Sequence, residues 1–346
     1  MIMERIADGE VIRDTYTVVR HLGSGAFGDV YLARHRYMGL QALKMFPRQD
    51  GADALEEAYL LAKLGHPNIV RMFEANEFER AGEIFGYFSM EYVEGGTLLQ
   101  MLESDLPLKD RIQLGRDILT GLAFAHSQLP PIIHRDISPT NILVDRNNGR
   151  LSAKISDFGL AKHVDPQSLV ASAAGKYLYM APESFLGMHS TATDVYSAGI
   201  VLFELLTERH PFRVALSASA SASEIASVVR ESRSQTVPRV TGFCADLSER
   251  WDALFDSALA HNYEERPRTA QNFLTQFLAA SGPDGSACTI ESDEVSRMVS
   301  EAKQLAEQAD SLGDAIDLLE DACRLDATVR DKYSEVLSLW KRGIVL

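Results

Sequence analysis

Cysteine is scarce in this chain. Only Cys244, Cys288 and Cys323 occur in 346 residues. They are widely spaced and form no Cys-x-x-Cys pair, which argues against a disulfide framework or a structural zinc site and fits a reducing cytoplasmic setting. Positive charge is also in short supply: 34 Lys and Arg stand against 49 Asp and Glu, a formal net charge of −15. An acidic surface repels nucleic-acid phosphates and anionic lipid, so neither nucleic acid nor membrane is expected as a partner. Long apolar runs are missing as well. The longest, around Ala198 to Leu206, falls well short of the ~20 residues that span a bilayer and reads as a buried core helix. Residues 1–11 form a short leader that carries Glu4, Asp8 and Glu10 and does not read as a signal peptide.

What remains is an ordinary globular composition, 46% hydrophobic and 24% charged, in a chain long enough for two or three structural units. Tyr16 to Leu22, Asp29 to Arg34 and Leu40 to Met45 alternate apolar and polar residues with Gly-rich breaks, the period of antiparallel strands. Asp53 to Leu64 switches to a helical period and stops at Gly65-His66-Pro67. Ile69 to Phe73 and Ile84 to Tyr92 read as further strands. From Thr97 the pattern is mostly helical, interrupted by a small hairpin over Ile142 to Val144 and Ala153 to Ile155. A β-rich unit therefore precedes a helical one. Glu91-Tyr-Val-Glu-Gly-Gly96 is a natural hinge between them, and a cleft there is the expected place for a ligand. The Ser/Ala repeat over Ala215 to Ser223 reads as a mobile loop and Ala279 to Gly285 as a linker; Glu291 to Trp340 reads as helical throughout.

Chemistry concentrates in a few short stretches. Gly23-Ser-Gly25-Ala-Phe-Gly28 follows a strand, and its bare amides can approach phosphate oxygens. A dinucleotide-binding turn has the same glycine spacing but opens a helix, whereas here a strand follows. Lys44 lies within an apolar strand and needs a charged partner or a phosphate, unless that strand is an exposed edge. Glu57, on the following helix, is a candidate partner. His134-Arg-Asp136-Ile-Ser-Pro-Thr-Asn141 places a carboxylate and an amide five positions apart on a tight loop. The carboxylate can accept a hydroxyl proton and the amide oxygen can hold a metal. Sixteen residues after Asn141 comes Asp157-Phe-Gly159, a second hard oxygen donor suited to Mg²⁺, and Ala181-Pro-Glu183 closes the segment that follows.

In this order and spacing, over about residues 12–280, these motifs resemble the signature set of eukaryotic-type (Hanks-type) Ser/Thr protein kinases. The resemblance implies an α+β, two-lobed kinase fold: a small β-rich lobe (12–92), a large α-helical lobe (97–280), a linker (281–290) and an α-helical extension (291–346). It implies transfer of the γ-phosphate of ATP to Ser or Thr of protein substrates, including the chain itself, with Mg²⁺ or alternatively Mn²⁺. By position, Asp136 resembles the catalytic base, Lys44 the lysine on the α- and β-phosphates paired to Glu57, and Asn141 and Asp157 the metal ligands. Gly23, Gly25 and Gly28 would cover the phosphates. Leu22, Val30, Ala42 and Leu143 would sandwich the adenine, Glu91 to Val93 would bind its edge, and Met90 would guard a back pocket. Asp194 resembles the aspartate that steadies the catalytic loop, and Glu183 would pair with Arg266.

Two positions depart from the commonest Ser/Thr pattern. Ser138 stands where a lysine near the γ-phosphate is usual, and Gly175-Lys176 where Gly-Thr is usual. A subset of bacterial kinases has both changes together, so Lys176 is a candidate to restore the missing charge. The alternative is a pseudokinase, a scaffold that holds nucleotide without transferring phosphate. Arg135 resembles the arginine that binds a phosphorylated activation segment, for which Ser168 and Ser172 are the candidates. From Pro283 onward 14 Asp and Glu stand against 7 Lys and Arg. Glu301 to Asp326 resembles one weak tetratricopeptide-type helical hairpin. A lone hairpin of this kind is expected to need a cover: the kinase, a helical partner or a second copy.

Overall fold

The computed structural model describes residues 5–25, 28–47, 64–147, 150–158, 177–214 and 221–282, and in the tail 299, 301–303, 305–306, 312–325, 333–334, 336–337 and 340. The first lobe is one antiparallel sheet of strands β1 (Val11–Ile12), β2 (Tyr16–Gly25), β3 (Gly28–His35), β4 (Gly39–Pro47), β5 (Met72–Arg80) and β6 (Glu83–Glu91), in the order β1-β2-β3-β4-β6-β5. Strand alternation sorts its side chains. Leu43 and Met45 of β4 are buried with Tyr31, Ala33 and Tyr87 on one face. Ala42, Lys44 and Phe46 therefore point to the other face, where Phe46 packs on Phe88 beside Met72 and Met90. Each fully buried apolar side chain of this kind stabilises by about 1.5–3 kcal/mol.

Two expectations shift here. Ile69 makes only an isolated bridge to Ile155, and the strand expected at 69–73 begins at Met72 and runs on to Arg80. Its Glu-rich stretch pairs with β6 alone, at the end of the sheet, so it never needs an apolar pattern. The helix expected over Asp53 to Leu64 lies outside the described residues except for Leu64.

The second lobe opens with the short helix α1 (Leu98–Met101), whose cap Thr97 exchanges hydrogen bonds with Gln100. Helix α2 (Leu108–His126) follows, then the hairpin of β7 (Ile142–Asn147) and β8 (Arg150–Ile155). Helix α3 (Thr191–Thr207) is apolar nearly all round and buried along almost its whole length, as a central core helix must be. Around it lie α4 (Ala222–Ser232), α5 (Glu249–Ala258) and α6 (Ala270–Ala280). Ser221 caps α4 through a reciprocal bond pair with Glu224, so the Ser/Ala repeat is helical from Ala222 rather than a loop through Ser223. The expected linker likewise starts later than Ala279, because Ala280 still belongs to α6 and is buried.

The lobes are stitched along β8. Val70 N–H donates to the Ile155 carbonyl (2.9 Å), Ile155 N–H to that of Asn68 (2.9 Å), and Asn68 Nδ2 to that of Ala153 (3.0 Å). At the hinge, a Cβ on Gly95 would lie 2.1 Å from the Val144 carbonyl oxygen, and Gly96 has φ +86°. Gly95 thus lets the chain cross close to β7, and Gly96 takes the left-handed backbone that glycine adopts without strain.

The chain divides into two units, at Ser281/Gly282. In the second, α7 (Leu312–Leu325) buries Ala315, Leu319, Ala322 and Cys323 with Val299, Ala302, Ala306 and Trp340. The described tail thus covers an apolar cluster with its own residues, which the expectation of an outside cover did not anticipate.

Candidate active site

The loop from His134 to Asn141 is irregular, yet it is pinned from behind. Asp194, on α3, is 1% exposed. Its Oδ2 accepts from His134 N–H (2.7 Å) and its Oδ1 from Arg135 N–H (2.8 Å). These bonds hold Arg135 at φ +69°, a left-handed conformation that a non-glycine residue keeps only when its surroundings fix it. His134 is itself buried. Its Nδ1 accepts from Asp136 N–H (3.2 Å), so Nε2 carries the hydrogen and donates to the Ser156 carbonyl (2.7 Å). Ser156 in turn donates from its N–H (2.8 Å) and Oγ (3.0 Å) to the Asn141 carbonyl. Ser156 immediately precedes Asp157, so the loop carrying Asp136 and the strand end carrying Asp157 are fixed to each other.

Asp157 also has a left-handed backbone, φ +59°. Its Oδ2 meets Lys44 Nζ across the cleft at 2.8 Å, where the lysine is nearly buried and the carboxylate partly open. Phe158 packs edge-on against His134 at 4.6 Å. Asn141 Nδ2 donates to the Asp136 carbonyl (2.8 Å), so its amide oxygen is the end that could hold a cation. Asn141 and Asp157 are hard oxygen donors with a lysine alongside. That set suits a small divalent ion such as Mg²⁺ or Mn²⁺ carried by phosphates, and it lacks the imidazoles and thiolates that favour zinc.

Strand register places several of the residues expected to enclose the adenine beside one another. Val30 and Leu32 of β3 sit opposite Lys44 and Ala42 of β4, and Ala42 is opposite Met90 of β6. Leu143 bridges to Thr97 just past the hinge. Leu22 is the irregular residue between the pairs His21–Tyr31 and Gly23–Val30. Gly23 faces open space, while Gly28 (φ +130°) sits so close to the Met45 carbonyl that any Cβ would strike it. Gly25 pairs with Gly28. Ser24 Oγ donates to Asp29 Oδ1 (2.5 Å), bracing the same hairpin. Met90 lines a cavity of about 30 Å³ together with Leu64, Ile69, Met72, Phe88 and Phe158 among others. Val93 is buried at the hinge. Glu91 pairs with Lys154 of β8 at 2.8 Å, an interlobe contact that no sequence spacing announces.

Glu183 and Arg266 form a buried two-pronged ion pair (2.7 and 2.9 Å), with the guanidinium 4.5 Å over the Tyr196 ring. Ser138 is buried, its Oγ 2.9 Å from Thr140 Oγ1. Glu57, Gly159, Ser168, Ser172, Gly175 and Lys176 lie outside the described residues. Sequence reasoning missed His126, whose ring also reaches Asp194 (3.0 Å), and Arg233, which has no motif to mark it.

The pattern of the protein kinase domain family matches residues 16–278. Serine/threonine-protein kinase PknB of Mycobacterium leprae is 34% identical over 283 residues, which cover 77% of this chain and 43% of the relative. Probable serine/threonine-protein kinase PknB of Lactococcus lactis is 29% identical over 289 residues, 80% of this chain and 43% of the relative. Serine/threonine-protein kinase ATG1c of Arabidopsis thaliana is 30% identical over 280 residues, 78% and 36%. The chain spans about two-fifths of the length of these curated relatives. Among the described residues no helix is long and apolar enough to cross a membrane. The family match covers both lobes and every described part of the cleft between them, and the chain belongs to the protein kinase family.

Proposed function

We propose that this chain transfers the γ-phosphoryl group of ATP to serine or threonine hydroxyls of proteins, itself included, as an active enzyme rather than a pseudokinase. The observation that carries the reading is the Lys44–Asp157 pair facing a loop whose Asp136 and Asn141 are fixed by Asp194 and Ser156. A scaffold that only held nucleotide would not need the catalytic carboxylate and both oxygen donors held in one frame.

In this reading Asp136 accepts the hydrogen of the acceptor hydroxyl and aims its oxygen at phosphorus. Lys44 holds the α- and β-phosphates, and the glycine hairpin from Gly23 to Gly28 covers them. Leu22, Val30, Ala42 and Leu143 enclose the adenine, whose edge the backbone of Glu91 to Val93 binds; Met90 limits the depth of the pocket. Asn141 and Asp157 would hold Mg²⁺ or Mn²⁺, which when bound neutralises phosphate charge. Glu57 would complete the lysine's pairing. Catalysis here is mainly positioning and charge neutralisation.

Ser138, committed to Thr140, brings no charge to the transferring group, and Lys176 is proposed to supply it. Lys176→Ala should then slow transfer at unchanged nucleotide affinity; an unchanged rate would remove Lys176 from the mechanism. A cytoplasmic location, where ATP is supplied, is proposed with this activity. The acidic helical tail is proposed to dock a helical partner or a second copy, and sedimentation of the full chain at increasing concentration tests the second.

The direct test is label transfer from radioactive ATP with Mg²⁺ to the chain and to a basic protein, beside Asp136→Asn. Label on Ser or Thr that vanishes in the variant is the expected result. Nucleotide binding without transfer would replace the enzyme by the scaffold reading.

A further inference from the structure

Arg233 follows α4 directly and is 2% exposed, yet no carboxylate pairs with it among the described residues. Burying a guanidinium without a counter-charge is expensive, so its contacts need an explanation. They converge on one short stretch of backbone. Nε donates to the Met180 carbonyl (3.2 Å), and Nη2 donates to the carbonyls of Tyr177 (3.2 Å) and Leu178. The Phe212 ring lies 4.8 Å from the guanidinium carbon. His210 Nε2 lies 2.9 Å from the same Leu178 carbonyl. Nη1 is buried with no partner, so the three carbonyl bonds, not a network around the whole guanidinium, fix its place. The cluster is thus a clamp on residues 177–180, immediately ahead of Ala181-Pro182-Glu183.

We infer that Arg233 is a positioning residue for the acceptor protein: it holds the 177–180 backbone in the shape against which a substrate segment lies. This rests on the kinase reading, in which Lys176, the residue immediately before this stretch, is proposed to serve the transferring phosphoryl group. The Glu183–Arg266 pair anchors the end of this stretch and is separate in its bonds, since Arg266 donates to Glu183, Ala192, Ala260 and His261 but to none of residues 177–180. The nucleotide side of the cleft is untouched by Arg233. Its loss should therefore affect the protein acceptor and spare ATP.

The test compares wild type, Arg233→Lys and Arg233→Met in the full chain, with Asp252→Asn as a control that disturbs a buried acid bonded to Thr241, not to residues 177–180. Steady-state kinetics would vary a protein acceptor and ATP separately, and hydrogen exchange would be followed on peptides covering 177–180. The expected result is a rise of about tenfold or more in acceptor KM for Arg233→Met, a smaller rise for Arg233→Lys, and ATP KM within twofold. Exchange at 177–180 should be faster in both variants and unchanged in the control. Unchanged acceptor KM in a folded variant, equal effects on both substrates, or unchanged exchange would each overturn the assignment. If wild type transfers phosphate to no acceptor, the kinase reading fails and the acceptor role fails with it, while exchange alone still decides whether Arg233 holds the segment. Should Arg233→Met not fold, Arg233→Lys carries the same comparisons.

Discussion

Asp117 offers a sharp check on the packing of the helical lobe. It sits on α2, is buried, and accepts from Ala153 N–H of β8 (3.0 Å) and from Gln113 Nε2 (2.8 Å). Burial outweighs those two bonds and pushes its carboxyl up from the ordinary 3.8 to about 6. The folded state therefore holds the proton more tightly than the unfolded one. The resulting stabilisation is full below pH 3.8 and is lost as the pH rises through 6. A shift of about two units corresponds to roughly 3 kcal/mol, of which roughly 1.4 kcal/mol falls between pH 5 and 7.5. Asp117→Asn removes the titration. Its Oδ1 can still accept from Ala153, and a flipped Gln113 amide can accept from its Nδ2. The stability of Asp117→Asn relative to wild type should thus rise by about 1.4 kcal/mol from pH 5 to pH 7.5. Urea unfolding in a Trp340→Phe background, read by the fluorescence of the fully buried Trp251, measures it at both pH values. A difference between the two proteins that does not change with pH would refute the reasoning.

Three further outcomes follow from single contacts. Gly95→Ala drives a methyl against the Val144 carbonyl and should lower stability by about 1–3 kcal/mol, seen as a depressed Tm. Glu183→Gln leaves the Arg266 guanidinium buried without a charged partner and should cost about 3–5 kcal/mol in chemical unfolding, with Arg266→Ala similar. Lys44→Met removes the cation opposite Asp157 and should slow phosphotransfer by about 10²-fold or more while the chain stays folded by circular dichroism.

Which residues meet in the cleft was legible because motif spacing fixes where they fall along the chain. Asp136, Asn141 and Asp157 fall where their motif places them, and the Glu183–Arg266 pair follows from short flanking motifs. Strand alternation placed Ala42 and Lys44 on one face and Leu43 on the other. What stayed hidden depends on tertiary partners. β5 runs through Glu74-Ala-Asn-Glu-Phe-Glu79 because its edge position tolerates polar side chains. Ser221 reads as low-complexity loop until Glu224 is seen to complete its cap. Arg233 looks like any polar residue after a helix, since the carbonyls that hold it lie more than 50 positions earlier in the chain. The Lys154–Glu91 pair joins residues 63 apart with no pattern between them. Period and motif report local geometry; long-range capture of a charge by backbone carbonyls leaves no local trace.

Asp194 is held by a third donor whose identity can be worked out. His126 Nδ1 accepts from Ala270 N–H (3.1 Å), so its hydrogen sits on Nε2 and donates to Asp194 Oδ2 (3.0 Å). A buried carboxylate is thereby satisfied by three N–H donors, two from the backbone of the catalytic loop and one from a ring. Ala270 opens α6 beside its cap Thr269, so the ring relays the start of α6 to the loop carrying Asp136. The two backbone donors survive any side-chain change at 134 or 135, which leaves position 126 as the place to perturb the node. His126→Gln can keep both bonds, Oε1 accepting from Ala270 and Nε2 donating to Asp194. His126→Leu strands the Ala270 N–H and removes one donor from Asp194, at about 1–3 kcal/mol for each buried group left unpaired. Phosphotransfer should fall in His126→Leu by more than in His126→Gln, with nucleotide affinity alike in the two. Equal rates and equal stabilities in both variants would show that the relay does not position the loop.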